Sequence, residues 1–421
     1  MRILHTADLH IGQIIYQHYE RADEHLHFFR QLEKWTEEFK PDALIVAGDL
    51  FDIPQPSASC WRMFTEVFVR LRKKCPETKI VIVAGNHDSA SRLQSHSEIW
   101  ALADTSIVGT PPPLNFKDVE GWEEKYILRL RSGYIIMLPY MSSDKTDAAI
   151  ALQEYVAKEN AENLPVVMTG HLAVTGCDFT GHDTEIGMLR TVDLDRFGKD
   201  YDYLALGHIH RPQTINHPHF ISEDAKILPS PIARYSGSAL HVSCDEAYPH
   251  SVSLIDIDSH KGNISLRELR INHLRHFHNF PPNSEPPFAS EKEIFKWFES
   301  FIKDAESCYI RFRVEKGVDL ASDFNNRIYT LIEQSGKDIR YNPKIIWVGN
   351  EEEIYSAADE EAEEEIAVEE LQQMTDPLQF IRRTSDQYPS LDLGMIEDAF
   401  REIEEEIRLM NEEESGKRRS R

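Results

Sequence analysis

Short, wholly apolar runs alternate with longer amphipathic ones along the first quarter of the chain. Arg2 to Ala7 reads as a strand. Glu20 to Phe39 reads as a helix, with Leu26, Phe29, Leu32, Trp35 and Phe39 near one face. Pro41 closes it, since proline cannot extend the helical hydrogen-bond ladder. Ala43 to Ala47 is a strand without a polar face, Ser57 to Lys74 a second amphipathic helix, and Lys79 to Ala84 another buried strand. Such strands, alternating with helices, predict a sheet covered on both sides. Pro111-Pro112-Pro113 marks a loop. The run from Tyr126 to Tyr140 predicts a hairpin turning at Ser132-Gly133. Strands recur at Val166–Thr169, Tyr203–Leu206 and Ser251–Ile257.

Beyond about residue 265 the pattern changes. Ser265–Ile271 and Cys308–Val314 read as strands, Leu320–Gln334 as a helix and Lys344–Val348 as a strand, together a small α+β unit. Glu351–Glu370 is acidic, helical or partly disordered. Asp376-Pro377 starts a short helix. The last helix carries Ile396, Phe400, Ile403, Ile407 and Met410 at steps of four, three, four and three, a heptad-like seam on an acidic surface. The pattern divides the chain into 1–265, 266–350 and 351–421, with no internal repeats.

Composition narrows the classes. With 421 residues, 41% hydrophobic and 10% aromatic, the chain can bury a large core, and full-length disorder is excluded. No apolar run approaches the roughly 18–20 residues of a membrane helix. No basic-then-apolar leader opens the chain, and five cysteines without C-x-x-C spacing give no disulfide framework. The expectation is a soluble, cytoplasmic protein. Net charge is −26, and Glu351–Arg421 holds 23 acidic against 8 basic residues. So acidic a chain is not a general polyanion binder, because phosphate neutralisation needs clustered Lys and Arg. Nucleic acid would have to be reached through a small site, a local patch or a partner.

The candidate chemistry lies at strand ends. Asp8-Leu9-His10, Gly48-Asp49-Leu50-Phe51-Asp52, Gly85-Asn86-His87-Asp88, Gly170-His171 and Gly207-His208-Ile209-His210 each follow an apolar strand, where α/β loops carry function. Glycine before Asp49, Asn86, His171 and His208 lets the main chain turn sharply and approach an ion. Carboxylate, imidazole and amide oxygen without thiolate argue against structural zinc and suit Mn²⁺, Fe²⁺ or mixed divalent sites. Each segment alone has a bland reading as a cap or turn; the conjunction is the signal. His18, His25, His27, His96 and His182 show no ligand spacing and are read as surface or packing residues. The run from His273 to His278 is read as a linker or interface.

Over about residues 1 to 245 these motifs resemble the calcineurin-like metallophosphoesterase superfamily, with its D-x-H, G-D, G-N-H-D, H and G-H-x-H series. HTADLHIG, VAGDLFD, VAGNHDS, GHIHRPQ and Tyr235–Leu240 resemble, within it, the nuclease subunits of bacterial nuclease–ATPase complexes. The resemblance implies an α/β fold: a four-layer metallophosphoesterase sandwich of two β-sheets flanked by helices, a small α+β capping domain and a helical C-terminal tail. It implies that Asp8, His10, Asp49 and His210 hold one metal ion, with Asp49 bridging to a second held by Asn86, His171 and His208. The ions would be manganese. His87 would stabilise the transition state or protonate the leaving oxygen, with Asp88 orienting its ring. Asp52, histidine in some relatives, would add negative charge beside the substrate phosphate or cap the next turn.

The same resemblance implies a 3′→5′ double-strand DNA exonuclease, with endonuclease action on hairpins or ends, in end processing, repair and recombination. It would work as a homodimer within a heterotetramer, on the nucleoid when bound to DNA. Its C-terminal helices would dock on an ATPase. Two alternatives stay open: a stand-alone phosphodiesterase acting on small nucleotides, and a metal-binding scaffold that regulates a partner.

Overall fold

The computed structural model describes residues 1–349 except 17, 114, 142–145, 181–190, 216–223, 243–245, 247. Expectations for 350–421, including the acidic stretch and the heptad-like helix, lie outside the described residues. Met1–Val348 is one compact unit. Among the described residues no helix is long and apolar enough to cross a membrane.

Two sheets pack face to face. The first has seven strands, in the order Lys226–Pro229, Asn263–Arg270, Ser251–Ile257, Arg2–Thr6, Ala43–Ala47, Lys79–Val83 and Thr105–Val108. Its last four run parallel. The second has six, in the order Gln213–Thr214, Ile232–Tyr235, Tyr203–Gly207, Val166–His171, Gly133–Ile136 and Ile127–Leu130. The predicted hairpin closes its edge as an antiparallel pair.

Side-chain alternation builds the layers. Ile3, Ala43, Ile45, Ala47, Val81 and Val83 point inward, into one core with Val167, Tyr203 and Ala205 of the second sheet. Leu4, Leu44, Val46, Ile80 and Ile82 point outward, against Phe28, Phe29 and Leu32 of the Ala22–Phe39 helix and Phe64, Val67 and Phe68 of the Ala58–Lys74 helix. The Asp147–Glu159 helix buries Ala149, Leu152 and Val156 with the second sheet. Helix, sheet, sheet and helix make the four-layer α/β sandwich.

Two details depart from the sequence pattern. The first helix buries His25, Phe28, Phe29 and Leu32, while Leu26 is exposed. The helix is rotated because His25 Nε2 lies 2.8 Å from the Leu9 carbonyl and fixes the inward face. The strand expected at Ser265–Ile271 spans Asn263–Arg270 and pairs with Ser251–Ile257 and Lys226–Pro229. It therefore completes the seven-stranded sheet instead of opening the α+β unit.

A third core gathers Phe288, Ile294, Phe298, Phe312 and Ile328. Around it, His276–Phe280, Cys308–Glu315, Ile339–Tyr341 and Ile346–Val348 form a four-stranded sheet, with helices Glu291–Asp304 and Phe324–Ser335.

Candidate metal centre

The parallel strands of both sheets end at the same edge of the sandwich, where α/β folds place their ligand crevice. Backbone bonds draw the loops together. Asp8 N–H donates to Gly48 O at 3.1 Å, and His10 N–H to Asp49 O at 3.0 Å. Across the sheets, His208 N–H donates to Asp8 Oδ1 at 3.0 Å, and His171 Nδ1 lies 2.8 Å from Ala47 O.

Glycine makes room for these contacts. A Cβ on Gly85 would lie 2.0 Å from Asp49 Oδ1, and one on Gly207 2.0 Å from Ala47 O. The sharp turns fall largely on the site residues themselves: φ is 50° at Asp8, 45° at His10, 46° at Asp49 and 97° at His208. Non-glycine residues rarely adopt this region, and such strain clusters at functional sites.

Three groups of ligand atoms, each within 4.8 Å of one another, overlap here: Asp8, His10 and His210; His10, Asp49 and His87; Asp8, Asp49 and His171. Asp49 Oδ2 lies 3.8 Å from His10 Nε2 and 3.3 Å from His171 Nε2. Asn86 Oδ1 lies 2.9 Å from both His171 Nε2 and His208 Nδ1. Thus Asp8, His10, Asp49, Asn86, His171, His208 and His210 all converge, with the exposed His87 at the rim.

The electrostatics favour a cation. Burial pushes Asp49 up, but His171, His10 and His87 outweigh it and hold the carboxyl far below its ordinary range. Burial raises Asp8. His10 and His171 are lowered by burial but raised more by the surrounding carboxylates, to about 9. Without an ion they carry protons at neutral pH, beside buried carboxylates that require positive charge. His210 is pushed down to about 4 by burial, leaving a neutral imidazole suited to ligation. The buried His10 has the Asp52 carboxylate close to Nδ1, and its Nε2 has no hydrogen-bond partner. An orphaned imidazole nitrogen, carboxylates and an amide oxygen fit divalent ions.

Asp88 does not orient the His87 ring. Its carboxylate accepts N–H bonds from Leu50 (3.0 Å), Phe51 (3.0 Å) and Gly85 (2.9 Å), tying the G-N-H-D loop to the G-D loop. The His87 ring is held by Asp52, whose carbonyl lies 2.8 Å from Nδ1. The Asp52 carboxylate reaches His10 instead, with Oδ1 3.3 Å from Nδ1. Sequence reasoning also missed Glu246, a buried acid whose Oε1 lies 3.0 Å from His210 Nδ1. Burial raises it to about 7. No spacing signal marks it. His273 packs on His241 and His250, a contact role consistent with an interface; His182 lies outside the described residues.

Residues 1–212 match the Calcineurin-like phosphoesterase family, and the chain belongs to it. Among curated relatives, it is 32% identical to the D component of the nuclease SbcCD of Bacillus subtilis (strain 168), over 61% of this chain and 66% of that one. It is 29% identical to the corresponding SbcCD component of Rhodobacter capsulatus, again over 61% and 66%. It is 30% identical to that of Escherichia coli (strain K12), over 60% and 65%. The chain thus spans just under two thirds of the length of these relatives.

Proposed function

We propose that this chain is a metal-dependent DNA nuclease of the SbcD kind, hydrolysing phosphodiesters with two divalent ions, manganese by preference, in partnership with the ATPase SbcC. The observation that carries the reading is the overlap of three ligand groups on Asp8 and Asp49 at the strand ends. Asp8, His10, Asp49 and His210 would hold one ion, and Asp49, Asn86, His171 and His208 the other. Bound divalent ions polarise phosphate oxygens and supply a water of lowered pKa.

The chain's own residues do the rest. Asp49, reaching imidazoles of both ligand sets, is the shared carboxylate. The four imidazoles add no negative charge, so the loaded site attracts a phosphodiester. His87 is fixed through Nδ1 by the Asp52 carbonyl, which leaves Nε2 as the nitrogen that would face a substrate. From there a protonated ring stabilises phosphate charge or donates its proton to the leaving oxygen. The Asp52 carbonyl and the Asp88 carboxylate hold this frame. Exonuclease polarity, hairpin opening, the homodimer, the capping role of 266–350 and SbcC docking through 351–421 belong to this reading, as does a cytoplasmic, nucleoid-associated location. SbcC would raise the effective concentration of a chain too acidic to grip DNA alone.

The test is cleavage of a linear duplex and a hairpin by the purified chain with Mn²⁺, beside a chromogenic phosphodiester, with and without SbcC. His87→Ala and Asp49→Ala should each abolish DNA cleavage. Turnover of the small diester alone, unchanged by SbcC, would favour the small-nucleotide phosphodiesterase. Metal binding without any turnover would favour the regulatory scaffold.

A further inference from the structure

We infer that Glu246 is a positioning residue that commits His210 to metal ligation. The inference rests on the proposed metal-dependent function and deepens it. Glu246 is 2% exposed and lies 36 residues beyond His210. Its Oε1 is 3.0 Å from His210 Nδ1, and its Oε2 accepts the Val242 N–H at 3.0 Å. Oε2 is also 3.3 Å from His250 Nε2, and His250 Nδ1 is in turn 2.9 Å from the Ser238 carbonyl. The backbone N–H of Val242 therefore fixes Oε2 and leaves Oε1 to face His210.

An imidazole ligates a cation only through a nitrogen that carries no proton, so the proton must be kept on the other. A carboxylate at Nδ1 keeps it there and leaves Nε2 as the donor, and it also makes the ring more basic. His171 receives the same service from a neutral group, the Ala47 carbonyl 2.8 Å from its Nδ1. His210 receives it from an acid. A glutamate buried this deeply is costly unless it is well paired. Its hydrogen-bond partners here are the Val242 N–H and the imidazole of His210, a site residue, with His250 Nε2 nearby but unbonded. Outer partners of metal-bound histidine commonly change affinity by about 10–100-fold.

The test uses the full chain stripped of metal and titrated with Mn²⁺, counting ions by calorimetry and by paramagnetic resonance of free Mn²⁺. Glu246→Ala should weaken one of the two ions by about 10–100-fold and leave the other near its wild-type affinity. Glu246→Gln, which keeps an acceptor but removes the charge, should fall between. His210→Ala combined with Glu246→Ala should bind no more weakly than His210→Ala alone, because Glu246 acts through that ring. Wild-type affinity in the Ala variant would overturn the inference, as would losses that multiply in the double variant. If the Ala variant does not fold, Glu246→Gln decides: binding indistinguishable from wild type overturns it. A wild-type chain that takes up no divalent ion would bring down the functional reading itself. That result is distinct from two bound ions that are indifferent to residue 246.

Discussion

At the scale of single residues, the candidate site was legible because its residues fall in short local motifs. Every expected ligand reaches the same strand-end edge. What the motifs could not carry was the reason for each glycine. Gly48, at φ 97°, takes a turning role and also leaves room for the His171 ring, while Gly85 and Gly207 are required for space alone, since a Cβ at either would collide with Asp49 or Ala47. Space is a tertiary quantity and leaves no local signal. The same holds for Asp52 and Glu246, whose partners lie on other segments. The protons on His10 and His171 give a prediction at this scale. Their values, about 9, stand above the ordinary 6.5. These protons therefore stabilise the metal-free fold fully below about pH 6.5, and that contribution is lost as pH rises toward about 9. The melting temperature of chelator-treated protein should fall across that window. Mn²⁺ affinity should rise over the same window, because each ion displaces protons. Affinity independent of pH from about 6 to 9 would show that these rings carry no proton to displace.

At the scale of elements, strands with uniform apolar faces were readable to within a residue or two, Ala43–Ala47 and Ser251–Ile257 among them. Ile232–Tyr235 was not. Its four residues are all buried, yet Arg234 sits among them, paired with Glu268 and bonded to Thr214 Oγ1 and Ser253 Oγ. A charge in so short a run hides a strand unless its partners are known. The Glu291–Asp304 helix carries a signal that the pattern of the α+β unit left unused: Ile294, Phe298 and Ile302 repeat every four residues behind a Ser290 cap. Prolines just upstream mask it. Asp88 shows how two such elements are joined. In Asp88→Asn, one carboxylate oxygen becomes an NH₂ facing a buried N–H of Leu50, Phe51 or Gly85. Leaving such a donor unpaired costs about 1–3 kcal/mol. Urea denaturation at about pH 8, well above the value of about 6 to which burial raises this carboxyl, should show that loss. An Asn variant as stable as the wild type would mean that the two loops are not tied by this side chain.

At the scale of the whole described molecule, the α+β unit meets the sandwich around a buried carboxylate, with contacts such as Tyr341 N–H to the Tyr19 hydroxyl beside it. Glu24, 1% exposed in the first turn of the Ala22–Phe39 helix, faces three arginines: Arg21 at 2.7 Å, Arg340 at 3.1 Å and Arg275 at 3.4 Å. It also accepts the Tyr309 hydroxyl at 2.5 Å. Arg275 immediately precedes a strand of the later sheet and Arg340 lies within one, while Arg21 bonds the Gln13 side chain and the His241 carbonyl, close behind the site loops. The other acids in the network, Asp23 and Asp338, are nearly half exposed and so compensate only weakly. Glu24→Gln removes the negative charge at the centre and leaves buried guanidinium groups facing one another. Breaking a buried ion pair from one side costs about 3–5 kcal/mol. Because the lost contacts join the third core to the first two, the damage should also emerge as a loss of cooperativity. Met1–Val348 unfolds as one step in the wild type on this view, and in Glu24→Gln the α+β unit should melt first. Denaturation followed at once by far-ultraviolet circular dichroism and tryptophan fluorescence reads the difference, since Trp297 and Trp347 lie in the α+β unit and Trp35, Trp61, Trp100 and Trp122 in the sandwich. Coincident transitions in the variant, at wild-type midpoints, would show that the apolar contacts between the units suffice without Glu24.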